Sequence, residues 1–359
     1  MRILHLSHDP LPDERIEKMA YTGHKLGHEI AIASKSKGDL IFKRTPLKFY
    51  TLPFSRYSNI GIPYFWRNMK KALEKILKQF KPDLIHAHNV IAGKLASEMG
   101  IPFIYDDHEY WSEALKYTGE SLDPFTYYKR ILWSRWEREI LDKAIVITVN
   151  EAIAREHCKR GAKTYVIPNF LNEEEVNALQ GGGMKNSSLS SVYVGRITGK
   201  ELAYRNTDGL IKLFSTGHLG SLFIIGERKS FSCPHIYSVG FLPHMEMIKR
   251  LTNFHAGLIP WIPHPFHRFC SPNKAFQYAH AGLAVILPKS MEPVINILRD
   301  NCIVFNSFNE LVELLKYYKE NVGEVIEIGI KTAEYARKML RWEIYEEQLV
   351  NAYKSALQL

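Results

Sequence analysis

Residues 1–34 read MRILHLSHDPLPDERIEKMAYTGHKLGHEIAIAS, and a change of period inside them decides the fold class. Residues 2–7 are a short apolar run of strand type. Residues 13–26 change to helical spacing, with Ile16, Met19, Ala20 and Gly23 on one side, and Gly27 ends the helix before a second strand over 29–34. Together they predict one β–α–β unit, whose two strands run parallel.

The same alternation continues outward. Residues 84–88, 103–105, 145–149 and 164–167 are short β-rich runs separated by helical or turn sequence, which predicts a mostly parallel sheet covered on both faces. Residues 172–191, with Gly181-Gly182-Gly183 and Asn186-Ser187-Ser188, are the most linker-like passage. The pattern then restarts with strands predicted over 191–194, 222–225, 256–259 and 283–287. Residues 333–359 carry Met339, Leu340, Trp342, Ile344, Tyr345, Leu349 and Tyr353 at helical spacing, which predicts one long amphipathic terminal helix. A chain of 359 residues suits two domains. The expected division is 1–172, a linker over 173–190, a second domain over 191–338, and a terminal helix over 339–359 that packs back toward the first domain.

Composition narrows the function classes. No run of about 18 apolar residues appears, and the N-terminus lacks the charged region and cleavage site of a secretory signal, so the expected location is cytoplasmic. Cys158, Cys233, Cys270 and Cys302 are far apart without CxxC spacing, so neither a disulfide framework nor a zinc knuckle is expected. Residues 1–170 hold 27 Lys and Arg against 20 Asp and Glu, a net +7 of the chain's +9. Something anionic is the expected partner of that half, and the sign alone does not choose among nucleic acid, anionic lipid and a phosphorylated substrate.

Several short motifs recur in a fixed order. The second half holds Val192-Tyr193-Val194-Gly195-Arg196, then Phe223-Ile224-Ile225-Gly226-Glu227, Ser238-Val239-Gly240-Phe241-Leu242-Pro243, and Ser271-Pro272-Asn273-Lys274-Ala275-Phe276-Gln277-Tyr278 before Ala281-Gly282. The first half holds Asp13-Glu14-Arg15-Ile16, Pro82-Asp83-Leu84-Ile85-His86-Ala87-His88, Asp106-Asp107-His108-Glu109 and Val166-Ile167-Pro168-Asn169. In this order the chain resembles the retaining GT-B glycosyltransferases of family 4. The resemblance implies an α/β fold of two Rossmann-like domains facing across a cleft, and transfer of a sugar from a nucleotide-sugar donor to a glycan, lipid-linked or polysaccharide acceptor. It implies a hexosyltransferase-type enzyme with no cofactor, no metal and no nucleic-acid partner; the nucleotide sugar enters as substrate.

The residues also have physical readings of their own. Gly195 follows a strand, so its missing side chain admits a phosphate, and Arg196 can make forked hydrogen bonds to phosphoryl oxygens. Lys200 and Arg205 compete for the second cation of this clamp; Arg205 is favoured because it precedes a helix start. Ser271, Pro272, Asn273 and Lys274 enter a helix whose first N–H groups would hold the diphosphate. Gly226 and Glu227 join this donor-binding set by the resemblance. Gln277 stands where the family carries the glutamate that binds the ribose, and Phe269 replaces a second glutamate eight residues earlier. Phe276 and Tyr278 read as core. In the first half the resemblance puts His108 against the donor sugar, with a leaving phosphate oxygen taking the acceptor's proton, while Arg196 and Arg205 stabilise developing charge.

Two other readings compete. His86 and His88, with His5, His8 and Asp107, suggest a metal-dependent hydrolase. Gln277 and Phe269 suggest a nucleotide-binding partner subunit of the same shape without turnover. His255 is expected to cap a strand start. Residues 63–81, PYFWRNMKKALEKILKQFK, place Phe65, Trp66, Met69, Leu73, Ile76, Leu77 and Phe80 on one face and basic residues on the rest. They suit either an ordinary sheet-packing helix or peripheral contact with an anionic membrane surface.

Overall fold

The computed structural model describes residues 1–43, 47–117, 123–180, 182–183, 185, 187–197, 205–228 and 231–358. The chain forms two compact units, residues 1–168 with 345–359, and residues 169–344.

The first unit alternates strand and helix: β1 (Arg2–Ser7), α1 (Glu14–Lys25), β2 (Glu29–Ser34), β3 (Lys48–Thr51), α2 (Pro63–Phe80), β4 (Leu84–His88), α3 (Asn89–Ala96), β5 (Phe103–Asp107), α4 (Trp111–Ala114), α5 (Pro124–Leu141), β6 (Ile145–Thr148), α6 (Glu151–Lys159) and β7 (Thr164–Val166). Its parallel sheet runs β3-β2-β1-β4-β5-β6-β7. The Asp13 side chain caps α1 by accepting the Ile16 N–H at 3.0 Å, and Gly27 beyond it takes φ +84°, which glycine adopts without strain. In α2, Met69, Leu73, Ile76 and Phe80 are buried in this unit's core, as a sheet-packing helix requires. No described helix is long and apolar enough to cross a membrane.

The second unit continues with α7 (Glu173–Ala178), β8 (Ser190–Val194), α8 (Thr207–Phe214), β9 (Ser221–Ile225), β10 (Ile236–Gly240), α9 (His244–Leu251), β11 (Ala256–Leu258), α10 (Asn273–His280), β12 (Ala284–Pro288), α11 (Glu292–Leu298), β13 (Ile303–Phe305), α12 (Phe308–Glu320) and α13 (Val322–Met339). Its sheet is also parallel, in the order β10-β9-β8-β11-β12-β13. His255 ties β11 to β8, its Nδ1 accepting the Ser190 N–H at 3.0 Å.

Three expectations are corrected. The stretch read as linker contains α7, closed by a reciprocal cap in which Asn172 accepts the Glu175 N–H and Glu175 accepts the Asn172 N–H. The long terminal helix is two helices: α13 stops at Met339, Arg341 bridges to Leu171, and the Trp342 N–H donates to the Leu171 carbonyl at 3.0 Å. With Trp342 buried, extended pairing there outcompetes helical spacing. The chain then turns through Trp342–Tyr345 into α14 (Glu346–Ala356), which belongs to the first unit. Finally, Asp106 and Asp107, which the expected strand 103–105 leaves just outside, are the last residues of β5.

Candidate active site

In open parallel sheets, ligands collect at the carboxyl ends of strands where the strand order reverses. In the second unit that point lies between β8 and β11. Gly195, directly after β8, has φ +140°, and Gly226, directly after β9, has φ +104°; a Cβ on Gly226 would meet the Gly195 backbone at 3.4 Å. The Gly195 N–H is paired with the Ile225 carbonyl at 2.8 Å, and the Gly226 N–H with the Gly240 carbonyl at 2.8 Å. These glycines therefore supply space rather than hydrogen bonds.

Two cations meet at one aromatic ring beside them. The Arg205 guanidinium stands 5.3 Å from the Trp261 ring centroid, and Lys274 Nζ stands 5.8 Å from the same centroid and 4.3 Å from that of Tyr193. Burial, and after it the Arg205 charge, pull the Lys274 ammonium down to about 7. Neither cation makes an ion pair among the described residues. Arg205 Nε and Ser271 Oγ are buried without hydrogen-bond partners among those residues. No side chain caps α10, whose N-cap is Pro272 and whose first residue is Asn273.

The other predicted donor residues have the following surroundings. Arg196 is exposed, 5.9 Å from the Phe241 ring, which it shares with Arg228. The Glu227 carboxylate accepts the Ile197 and Arg228 N–H groups, so it ties two loops together. Gln277 is 4% exposed, on the buried face of α10, and Phe269 is buried. Lys200 lies outside the described residues.

In the first unit the order reverses between β1 and β4, and a buried polar cluster lies there. Asp106 is its centre. Arg15 donates to it through Nε at 3.0 and 2.8 Å and through Nη2 at 2.8 Å, and also donates through Nη1 to the Ile167 carbonyl. His88 Nδ1 and His108 Nδ1 approach the same carboxylate at 3.2 and 3.8 Å. Burial opposes charge on both groups, yet Arg15 holds the Asp106 carboxyl well below the usual range. Likewise Asp106 outweighs burial at His108 and pushes that imidazole up to about 9. His88 goes the other way, pulled down to about 3 by burial and by His86. His86 Nδ1 pairs with the Tyr353 hydroxyl of α14 at 3.2 Å.

His5, His86 and His88 do come together, yet as a stack: the His86 and His88 rings are 4.6 Å apart and 7° from parallel. Imidazole lone pairs lie in the ring plane, and two stacked, nearly parallel planes do not meet at one ion. Asp107 faces away from Asp106, as alternate strand residues must. It accepts from His157 Nε2 at 2.7 Å and from the Tyr110 N–H at 3.1 Å.

Comparison with known proteins adds the family. Residues 16–175, which include His86, His88, Asp106 and His108, match the model of Glycosyltransferase Family 4. Over this stretch, less than half of its length, the chain is similar to Glycosyltransferase Family 4. Sugar transfer is the reaction class of this family. Sucrose-phosphate synthase from Thermosynechococcus elongatus is similar over 99% of both chains, at 13% identity and a TM-score of 0.75. Anabaena HepE in complex with UDP-glucose matches over 99% of this chain and 100% of its own, at 13% identity and a TM-score of 0.68. WaaG, a glycosyltransferase involved in lipopolysaccharide biosynthesis, matches over 97% and 98%, at 13% identity and a TM-score of 0.68. At such identities the likeness shows the GT-B fold. A comparison with curated protein sequences finds no match.

Sequence alone singles out His108, Gly195, Arg205 and Lys274 as candidates but not all of the groups that the structure sets around them. Arg15 sits 91 residues from Asp106, so no local pattern joins them. Trp261 carried a weak signal, since it follows β11 at a carboxyl strand end.

Proposed function

We propose that the protein is a retaining, metal-independent glycosyltransferase that moves a sugar from a nucleotide-sugar donor to a glycan, lipid-linked or polysaccharide acceptor. The observation that carries this reading is the pair Arg205 and Lys274, two cations over one Trp261 ring with no carboxylate partner among the described residues. Like charges repel there until an anion joins them, and a diphosphate supplies two phosphoryl groups for forked and point-charge contacts. The space left by Gly195 and Gly226, the buried Ser271 hydroxyl and the start of α10 suit the same ligand. The UDP and UDP-glucose complexes of HepE favour a uridine nucleotide as first candidate.

In this mechanism the cations and the helix start neutralise the leaving diphosphate, so no divalent ion is needed. His108 carries its charge at neutral pH and acts as a hydrogen-bond donor toward the sugar rather than as a general base. A phosphate oxygen then takes the acceptor's proton on the face of attack, and the configuration is retained. The stacked imidazoles and the Arg15 clamp on Asp106 argue against the metal-hydrolase alternative.

A thermal-shift panel of UDP, GDP and ADP with a chelator present tests the reading. A ligand at 100 times its Kd adds about 2.7 kcal/mol of stability. At least one diphosphate should raise Tm; no shift with any of them, or a shift that needs a divalent ion, overturns it. The burial of Phe269 where the family carries a glutamate favours one second reading, a binding subunit without turnover. Saturable binding without donor hydrolysis or transfer would select that one.

A further inference from the structure

Asn89 opens α3 and combines features that stability does not explain. Its φ is +65°, a conformation glycine adopts more readily. Its side chain is 2% exposed, and its Oδ1 is buried without a hydrogen-bond partner among the described residues. A residue selected for the turn alone would be glycine, which removes both the strain and the unmet acceptor. Departures of this kind collect where function requires them.

The amide group shows what it is held for. Asn89 Nδ2 lies 3.4 Å from Asp9 Oδ2 and 3.4 Å from His108 Nε2. The other ring nitrogen of His108 faces Asp106 Oδ1 at 3.8 Å, and Asp106 is fixed by Arg15. The imidazole is thus bracketed, with a carboxylate at Nδ1 and an amide at Nε2. A charged imidazole carries a proton on Nε2, so the amide nitrogen donates to Asp9, and the otherwise unmet Oδ1 of the same amide is the atom that can accept from the ring when the amide turns over.

We propose that Asn89 is a positioning residue for His108: its left-handed backbone aims the amide at the imidazole edge and fixes the ring orientation in which the charged imidazole faces the donor sugar. The inference rests on the reading that His108 acts on the donor sugar. It adds a residue that the sequence motifs do not mark, at the carboxyl end of β4, next to Asp9 at the end of β1.

The test uses Asn89→Gly, which suits φ +65° and deletes only the amide, with Asn89→Asp and His108→Ala beside it in the full chain. The histidine side-chain NMR resonances, with His108 assigned by its loss in His108→Ala, report the ring without any substrate. The expected result is a folded Asn89→Gly protein with an equal or higher Tm, unchanged UDP affinity and a displaced or broadened His108 signal. Its kcat should fall at least 10-fold with the donor found active in a nucleotide-sugar panel. Asn89→Asp tolerates the same backbone and offers an oxygen to the charged imidazole, so it should recover part of both. An unchanged His108 signal in Asn89→Gly overturns the proposal, and so does a marked fall in its Tm. Wild-type turnover in His108→Ala instead defeats the functional reading of His108, while the NMR comparison still decides whether Asn89 orients the ring.

Discussion

At Lys274 burial and like charge act in one direction, so an ammonium that would titrate near the usual lysine value titrates at about 7. A bound diphosphate restores the charge. UDP binding at pH 8 should therefore take up a proton, and affinity should fall as pH rises above about 7. Calorimetry in buffers of different ionisation enthalpy measures the uptake, which Lys274→Ala should abolish; identical heats in all buffers would contradict the clamp. Arg205→Ala should weaken UDP by about 1.5–3 kcal/mol, the range for a charge-assisted contact. His108 has the opposite sign, with a folded pKa of about 9 above an unfolded value near 6.5. Its stabilising contribution is complete below about pH 6.5 and is lost as pH rises through 9. His88, held down to about 3, destabilises the fold as pH falls from 6.5 toward 3. Wild-type stability should thus decline between pH 6.5 and 9 more steeply than that of His108→Ala. Parallel Tm profiles for the two proteins would show that Asp106 does not hold the proton.

The donor turn depends on how β8 ends. The last pairing of β8 with β11 is Val192 with Gly257, so Val194 lies beyond it with no strand partner on that side. Tyr278 of α10 takes the strand's place, its hydroxyl accepting the Val194 N–H at 2.8 Å. The ring reaches that position because residue 257 is glycine: a Cβ there would stand 2.2 Å from Tyr278 Cδ2. Tyr278→Phe should leave a buried N–H unmet, at about 1–3 kcal/mol, and loosen the Gly195 turn. Chemical denaturation and UDP affinity should both register it; a variant with unchanged stability and affinity would remove Tyr278 from this role. The sequence marked Tyr278 as core, which is correct for its ring and silent about its hydroxyl. It also missed β3, β10 and β13. The first is a four-residue strand with exposed ends, the second has a register shift between Ser238 and Gly240, and the third is three residues long and only partly buried, so each carries a weak apolar signal.

For the molecule as a whole, the chain closes its first unit with its own C-terminus. Leu349, Ala352, Tyr353 and Ala356 of α14 are buried, Lys163 and Tyr165 bond to Ser355, and Lys25 pairs with Glu346. Removing residues 345–359 should therefore expose the sheet and unmake the His86–Tyr353 contact. The truncated chain should lose the cooperative transition of the first unit and aggregate, and a soluble, normally melting product would refute that dependence. Local order determined much of this protein: strand and helix periods gave two parallel α/β units, and motif order pointed to the family, because each of these signals spans only a few residues. Tertiary structure decided the rest. It split the terminal helix by pairing Arg341 with Leu171, gathered Arg15, Asp106 and His108 from distant segments, and set Lys274 beside Arg205 over Trp261. Those choices depend on burial and on which charges become neighbours, and both are created only when the sheets assemble.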